Sequence, residues 1–165
     1  MIYFLIGFMG AGKSTIAKRI STEFNINHID IDREIEKIEN NTISQIFENK
    51  GEDYFRNLEK NYINNIKNND KVIISTGGGA PIFNNLMEIM NNIGKTIYIK
   101  CSIETLYQRL IKDNNRPLIK NVSKKNLKKY VTNTLYERER IYKQAKYIID
   151  IENEDPIKRI QEILR

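Results

Sequence analysis

A glycine-rich segment directly after the first apolar run constrains this sequence more than any other feature. Residues 7–14 read Gly-Phe-Met-Gly-Ala-Gly-Lys-Ser, which matches the pattern Gly-x-x-x-x-Gly-Lys-Ser/Thr. The apolar run 2–6 precedes the segment, and apolar residues at helical spacing follow it (Ile16, Ile20 and Phe24). A strand before and a helix after are the context in which this pattern forms a phosphate-binding loop. The order of the glycines excludes the Gly-x-Gly-x-x-Gly fingerprint of dinucleotide-binding folds.

The residue types of this loop suit a nucleoside triphosphate. Glycines allow successive backbone N–H groups to point at phosphate oxygens, where a Cβ atom would collide. Lys13 carries a charge that can reach the β- and γ-phosphates, and Ser14 offers a hydroxyl to Mg²⁺. The helix that follows directs its positive end at the same anion. We therefore predict a nucleoside-triphosphate site at the N-terminal end of the chain.

Length and composition limit the remaining choices. The chain has 165 residues, enough for one domain, and a net charge of +6, which suits anionic partners of either kind, nucleic acid or phosphorylated small molecules. Its one cysteine, Cys101, cannot form an intramolecular disulfide or a zinc cluster, which fits a reducing cytosol. No run of 18 apolar residues is present, so we expect no membrane span and a cytoplasmic location.

Short apolar runs alternate with amphipathic stretches along the whole chain. This pattern predicts a single α/β domain over residues 1–165, with a five-stranded parallel sheet covered by helices on both faces. Thr42 with Gln45 predicts a capping box, and Asp155-Pro156 predicts another helix start. The polar, basic segment 113–122 is either a surface loop or a lid. The predicted strands are 2–6, 28–31, 72–75, 96–100 and 147–151.

Two other predicted strands end in residues that could bind a ligand. Open α/β folds bind ligands at the edge of the sheet where the carboxyl ends of the strands lie. Asp30 and Asp32 lie at the carboxyl end of the second strand, so Asp30 could hold a water of Mg²⁺ and Asp32 could accept a proton from an acceptor hydroxyl. Alternatively, Asp32 merely caps a helix over 33–38. After the third strand, the glycines 77–79 offer bare backbone that a ligand could approach closely. A tight turn is the alternative, but a two-residue turn would not need three glycines.

Three arginines differ in what their positions predict. Arg138 falls on the apolar stripe of its helix and should therefore have an anionic partner. Arg56 lies close to Glu52 and Glu59, so an ion pair within its own helix competes with a ligand-binding role. Arg109 lies opposite the apolar stripe of its helix, which predicts a solvated side chain.

Together these motifs resemble the shikimate kinase family, and the resemblance covers nearly the whole chain. It implies a phosphate-loop kinase fold and ATP-dependent phosphorylation of the shikimate 3-hydroxyl, with Mg²⁺, on the way to chorismate and aromatic amino acids. One departure is Arg140, where family members usually carry proline. The motifs are Gly-Phe-Met-Gly-Ala-Gly-Lys-Ser-Thr, Asp30-x-Asp32, Phe55-Arg56-x-x-Glu59, Gly77-Gly78-Gly79-Ala80, Arg116-Pro117-Leu118 and Arg138-x-x-x-Tyr142.

On the nucleotide side, the resemblance implies that Lys13 contacts the transferring phosphoryl group and that Ser14 binds Mg²⁺, with Asp30 assisting through water. Arg116 would close with a lid over 113–122 onto the phosphates and take part in catalysis. Arg109 and the segment 153–156 would border adenine. The ATP phosphates would lie against Gly10, Ala11, Gly12, Lys13, Ser14 and Thr15.

On the acceptor side, which the resemblance places over about residues 32–62, Asp32 would contact the shikimate hydroxyls and act as the base. Arg56 and Arg138 would bind the shikimate carboxylate, and Gly78 would make a backbone contact. Two rival readings remain: another small-molecule kinase, acting on a nucleoside monophosphate or a sugar acid, and a nucleotide-dependent protein that binds nucleic acid. We expect a monomer that binds shikimate, without a nucleic-acid or membrane partner.

Overall fold

The computed structural model describes residues 1–66, 71–113, 117–120 and 122–165. Strands and helices alternate along these residues, with short 3₁₀ helices at Ala80–Ile82 and Pro117–Ile119. The strands are β1 (Ile2–Ile6), β2 (Asn27–Asp30), β3 (Val72–Ser75), β4 (Lys95–Lys100) and β5 (Tyr147–Asp150). The helices are α1 (Lys13–Phe24), α2 (Ile31–Glu39), α3 (Ile43–Asn64), α4 (Leu86–Ile93), α5 (Ile103–Leu110), α6 (Lys124–Tyr142) and α7 (Pro156–Leu164).

The five strands form one parallel sheet in the order β2-β3-β1-β4-β5. Ser75 pairs in register with Leu5 on one side and with Asp30 on the other. The carboxyl ends of β1, β2 and β3 therefore lie side by side, and the loops that follow them meet at one edge of the sheet. The predicted parallel α/β fold is confirmed, and this edge is where such folds bind ligands.

The central strands are buried on both faces. Every residue of β1 and β3 is buried, as are the four inner residues of β4. Because successive side chains point to opposite faces of a sheet, a strand that is buried throughout must be covered on both sides. The sheet is thus the middle layer between helices. None of the helices described in the structure is long and apolar enough to cross a bilayer.

The helix starts follow the predicted capping chemistry, with one correction at β2. Thr42 and Gln45 form a capping box, and Asp155 accepts a hydrogen bond from the Ile157 backbone N–H at 2.8 Å. The predicted strands 96–100 and 147–151 each differ from the observed β4 and β5 by one residue at one end. The predicted strand 28–31 was wrong by one residue at each end, because β2 begins at Asn27 and Ile31 is already the first residue of α2. Asp30 rather than Asp32 caps this helix, which leaves Asp32 inside its first turn.

Two long helices carry side chains to the ligand-binding edge. In α3 the helical geometry breaks at Gly51, whose φ of 81° lies in the left-handed region, and the helix then continues through Arg56. In α6 the apolar stripe of Leu127, Val131 and Leu135 is buried, and it ends at Tyr142, which is fully buried. Arg138 lies one turn before Tyr142 on the same helix.

Candidate active site

The phosphate-binding loop connects β1 to α1 in a tight curl. Gly10 and Gly12 adopt φ values of 81° and 92°, which residues with a Cβ atom rarely adopt. The Lys13 side chain is buried and lies against the loop itself, with Nζ donating hydrogen bonds to the carbonyls of Gly7 at 2.8 Å and Phe8 at 2.9 Å. The lysine charge is therefore held at the centre of the curl, where a bound polyphosphate would lie.

A cleft of about 760 Å³ opens in front of this loop. Arg109 lies at its side and is exposed, as its periodicity predicted, and its Nη1 donates a hydrogen bond to the Gly10 carbonyl at 3.0 Å. This contact places the Arg109 guanidinium beside the phosphate-binding loop, whereas the helical pattern alone predicted only a solvated side chain. The cleft wall brings together the residues predicted for the nucleotide and the metal, namely Gly10, Ala11, Gly12, Lys13, Ser14, Thr15, Asp30 and Arg109.

Ser14 and Asp30 offer two oxygen ligands in this cleft. The Asp30 carboxylate accepts hydrogen bonds from the Ser75 hydroxyl at 3.1 Å and from the Arg33 backbone N–H at 3.4 Å, so both of its oxygens are fixed. His28 lies 3.1 Å from the same hydroxyl, and burial lowers its pKa, which favours neutral imidazole. Within the described ranges no cluster of three metal-binding side chains occurs. A hydroxyl ligand and a carboxylate that could hold a metal-bound water, both beside a phosphate site, fit Mg²⁺, which is held mainly by substrate phosphates and water.

A smaller cavity of about 70 Å³ lies next to the cleft, and Asp32 and Gly78 line both. Arg56 and Arg138 line the small cavity as well, so the structure brings together all four residues predicted for the acceptor. Apolar side chains complete its wall, including the Phe47 and Phe55 rings, whose centroids are 5.1 Å apart. We call this space the acceptor cavity.

The two arginines of the acceptor cavity differ in how they are satisfied. Arg138 lies with its guanidinium carbon 5.9 Å from the centroid of the Phe8 ring. Its Nη1 atom is buried and has no hydrogen-bond partner among the residues that the structure describes. A buried cationic donor without a partner is costly, and a carboxylate is the group that a guanidinium binds best. Arg138 therefore indicates an anionic ligand in this cavity.

Arg56 is buried and already forms ion pairs within its helix. Its Nη1 lies 2.5 Å from Glu59 Oε2, while its Nε and Nη2 donate to Glu52 Oε1 at 3.1 and 2.9 Å. The ion-pair interpretation from the sequence is thus present, together with the position in the cavity wall. Burial opposes the charge of Arg56, yet the two carboxylates outweigh it and raise its pKa. The guanidinium remains charged beside the cavity.

The glycines that follow β3 are required by these side chains. A Cβ atom on Gly77 would collide with Glu59 Oε1, and one on Gly79 would collide with the Arg56 guanidinium. The sequence interpretation attributed the bare backbone to the approach of a ligand. At Gly77 and Gly79 the space is instead occupied by the buried ion pair, which could not reach its position past larger residues.

Comparisons with known proteins agree with this geometry. The family model described as shikimate kinase matches residues 9–165. A shikimate kinase from Azobacteroides pseudotrichonymphae is 43% identical, over 90% of this chain and 88% of the relative. The crystal structure of shikimate kinase from Bacteroides thetaiotaomicron superposes with a TM-score of 0.89 at 35% identity, covering 99% of this chain and 98% of that one. The chain belongs to the shikimate kinase family.

A second similar structure is that of a shikimate kinase with a bound ligand. The enzyme from Acinetobacter baumannii, solved in complex with shikimate, is 31% identical with a TM-score of 0.86, covering 99% of this chain and 90% of that one. Family membership makes the chain described here an enzyme, and specifically a kinase. The fold and the family predicted from the sequence are both confirmed.

Sequence reasoning missed two contacts of residues that it had quoted in motifs. It anticipated the ion pair of Glu59 with Arg56 from their spacing on one helix, but not the packing of Glu59 against Gly77. Tyr142 donates a hydrogen bond to the Gly78 carbonyl, and its position four residues after Arg138 was the available signal. Arg116 lies outside the described residues, as does part of the predicted lid 113–122, so the role of Arg116 remains a prediction.

Proposed function

We propose that this chain transfers the γ-phosphoryl group of ATP to the 3-hydroxyl of shikimate and releases shikimate 3-phosphate and ADP. The observation that carries the proposal is the buried, unpartnered Nη1 of Arg138 in a cavity that shares Asp32 and Gly78 with the phosphate-binding cleft. A small hydroxy acid whose carboxylate pairs with Arg138 would present its far side to the cleft. Shikimate has this combination of one carboxylate and ring hydroxyls.

In this proposal the acceptor residues orient shikimate for in-line attack. Arg138 and the charged Arg56 bind the carboxylate and fix the direction of the ring. Asp32, which lines both the cavity and the cleft, accepts the proton of the 3-hydroxyl as its oxygen attacks the γ-phosphorus. Gly78 contributes backbone contacts at the same boundary. Precise positioning is the main requirement, because phosphoryl transfer needs little covalent chemistry from the protein.

On the nucleotide side, residues 10–15 hold the phosphates of ATP, and Lys13 balances the charge that develops on the transferring group. Ser14 would ligate Mg²⁺, and Asp30 would hold one of its waters. Mg²⁺, when bound, neutralises negative charge on the phosphates. Arg109 lies beside the loop, in a position to border the nucleotide. We add Arg116 to the catalytic groups on the resemblance alone.

The shikimate complex of the Acinetobacter baumannii enzyme supports shikimate as the acceptor, since that protein shares its fold and 31% of its aligned residues with this chain. A monomeric state and a cytoplasmic location also remain part of the proposal. The single cysteine, Cys101, is buried, and burial raises the pKa of its thiol to about 11, so the thiol stays protonated at neutral pH.

The direct test is an ADP-release assay coupled to NADH oxidation, with the acceptor varied at saturating MgATP. Shikimate, quinate, gluconate and nucleoside monophosphates form the acceptor panel, and Lys13→Ala provides the background rate. We expect shikimate to give the highest kcat/KM and the ADP formed to equal the shikimate consumed. A higher kcat/KM with a nucleoside monophosphate, or ADP release that does not depend on the acceptor, would overturn the proposal.

A further inference from the structure

The three glycine carbonyls after β3 all accept hydrogen bonds, but the middle one has a different kind of donor. The carbonyls of Gly77 and Gly79 accept from backbone N–H groups three residues further on, at 3.2 and 3.1 Å. The Gly78 carbonyl accepts from the Tyr142 hydroxyl at 2.6 Å, from a residue 64 positions away on α6. Two of the three bonds are therefore local turns, whereas the third ties the segment to another helix.

The surroundings of Tyr142 hold its hydroxyl in place for this contact. Its side chain is fully buried, and its ring packs against the Tyr98 ring with centroids 5.2 Å apart. Burial raises the pKa of Tyr142 to about 12, against the opposing effect of the neighbouring Arg138 guanidinium. The hydroxyl consequently stays protonated throughout the working pH range and can always donate its hydrogen bond.

The hydroxyl also lies between the two parts of the acceptor site. Arg138 is one helical turn before Tyr142 and interacts with its hydroxyl, while Gly78 lies at the boundary between the acceptor cavity and the cleft. Three consecutive glycines have more backbone freedom than any other tripeptide, so the orientation of the Gly78–Gly79 peptide is not set by local sterics. A fixed donor from α6 removes that freedom.

We propose that Tyr142 is a positioning residue for the acceptor: its hydroxyl fixes the Gly78–Gly79 peptide relative to Arg138, so that one shikimate molecule contacts both. This inference rests on the proposed function and goes beyond it, because it assigns to Tyr142 a contribution to acceptor binding without contact with the acceptor. The contribution is preorganisation, which lowers the cost of ordering the site when the ligand binds.

The test is Tyr142→Phe, which removes the hydroxyl and keeps the ring that packs on Tyr98. Loss of one buried hydrogen bond predicts a rise of about five- to tenfold in the KM for shikimate. The KM for ATP and the kcat should stay within about twofold, since the phosphate-binding loop is not involved. Backbone amide exchange of Gly79, whose N–H belongs to the same peptide as the Gly78 carbonyl, should become faster in the free enzyme.

Two controls separate positioning from stability. Tyr98→Phe removes the hydroxyl of the neighbouring buried ring, and Tyr136→Phe removes one from the exposed face of the same helix. Neither should alter the KM for shikimate. The inference is overturned if Tyr142→Phe leaves this KM unchanged, or if it lowers kcat and raises both KM values together with a fall in Tm, as a purely structural role would.

The amide-exchange measurement at Gly79 distinguishes a failure of this inference from a failure of the proposed function. If the wild-type enzyme prefers a different acceptor, the proposed function fails. Faster Gly79 exchange together with a raised KM for that other acceptor would still support the positioning role of Tyr142. Unchanged exchange at Gly79 in Tyr142→Phe contradicts the role, whichever acceptor is used.

Discussion

Glu59 and Arg56 form a buried ion pair in the wall of the acceptor cavity, with Oε2 and Nη1 2.5 Å apart. Glu59 is completely inaccessible to solvent, and its other oxygen, Oε1, has no hydrogen-bond partner among the described residues. Burial raises the pKa of Glu59 to about 7, even though the charge of Arg56 opposes the shift. Glu59, which pairs with an arginine of the cavity wall, thus titrates close to neutral pH.

This arrangement predicts how stability depends on pH. An ordinary glutamate titrates at 4.5, so between pH 4.5 and about 7 the folded protein retains a proton on Glu59 that the unfolded chain has lost. The contribution of Glu59 to the free energy of unfolding is therefore greatest below pH 4.5 and is lost as pH rises towards 7. Urea unfolding of Glu59→Gln at several pH values should lack this component of the pH slope.

The matched control for this experiment is Glu52→Gln, which alters the exposed partner of the same arginine. The wild-type slope between pH 4.5 and 7 should persist in that variant. If Glu59→Gln and the wild-type enzyme have parallel pH profiles, then Glu59 is ionised throughout this range in the folded protein, and the prediction is wrong.

Lys13→Ala should abolish phosphoryl transfer while leaving the fold intact. The lysine charge lies at the centre of the phosphate-binding loop, and loss of such an electrostatic group lowers kcat by about 10²- to 10³-fold or more. Coupled ADP release measures the activity, and circular dichroism measures the fold. Lys18→Ala, on the exposed face of the same helix, should keep wild-type kinetics. Loss of the folded state in Lys13→Ala would indicate a structural lysine.

Arg138→Ala should raise the KM for shikimate far more than the KM for ATP. One charge-assisted hydrogen-bonding group contributes about 1.5–3 kcal/mol, which predicts a rise of roughly 10- to 150-fold for the acceptor. Arg140→Ala removes an exposed arginine from the same helix and provides the control for helix stability and net charge. Equal increases for both substrates would contradict the assignment of Arg138 to the acceptor carboxylate.

Gly79→Ala should disturb the acceptor cavity without affecting the phosphate-binding loop. The added Cβ would collide with the Arg56 guanidinium, so Arg56 must leave its position and the KM for shikimate should rise. Gly51→Ala is the control: it also adds a Cβ to a glycine, but no atom lies within 4 Å of the new group. Because Gly51 has a φ of 81°, this substitution strains the backbone without touching the cavity. The control variant should have a lower Tm and an unchanged KM for shikimate. An unchanged KM for shikimate in Gly79→Ala would show that Arg56 is not needed to bind the acceptor.

The fold was predictable from the sequence because local signals agreed with one another. The strand bounds 2–6 and 72–75 were predicted correctly, since each apolar run stops at a glycine or a polar turn residue. The end of β2 was misplaced by one residue because Ile31 is equally compatible with the end of a strand and the buried face of a helix. The capping preference of Asp30 decides between these states, and the alternation of residues does not reveal it.

The sequence predicted which residues lie together at this edge of the sheet, but it did not predict the contacts among them. Phosphate-loop spacing and the stripe position of Arg138 pointed to the correct edge of the sheet. The packing of Glu59 on Gly77 and the bond from Tyr142 to Gly78 join residues 18 and 64 positions apart. Such contacts depend on how α3 and α6 pack against the segment after β3, which helical periodicity does not specify.

The central claim is that Arg138 recognises the carboxylate of shikimate. The measurement that tests it most directly is the ratio of kcat/KM for shikimate to that for its methyl ester, in the wild-type enzyme and in Arg138→Ala. We predict that this ratio is roughly 10 to 150 times larger in the wild type than in the variant, because the variant has lost one of the two charge-assisted contacts with the carboxylate and keeps only Arg56. A ratio that is equally large in both enzymes would contradict the account.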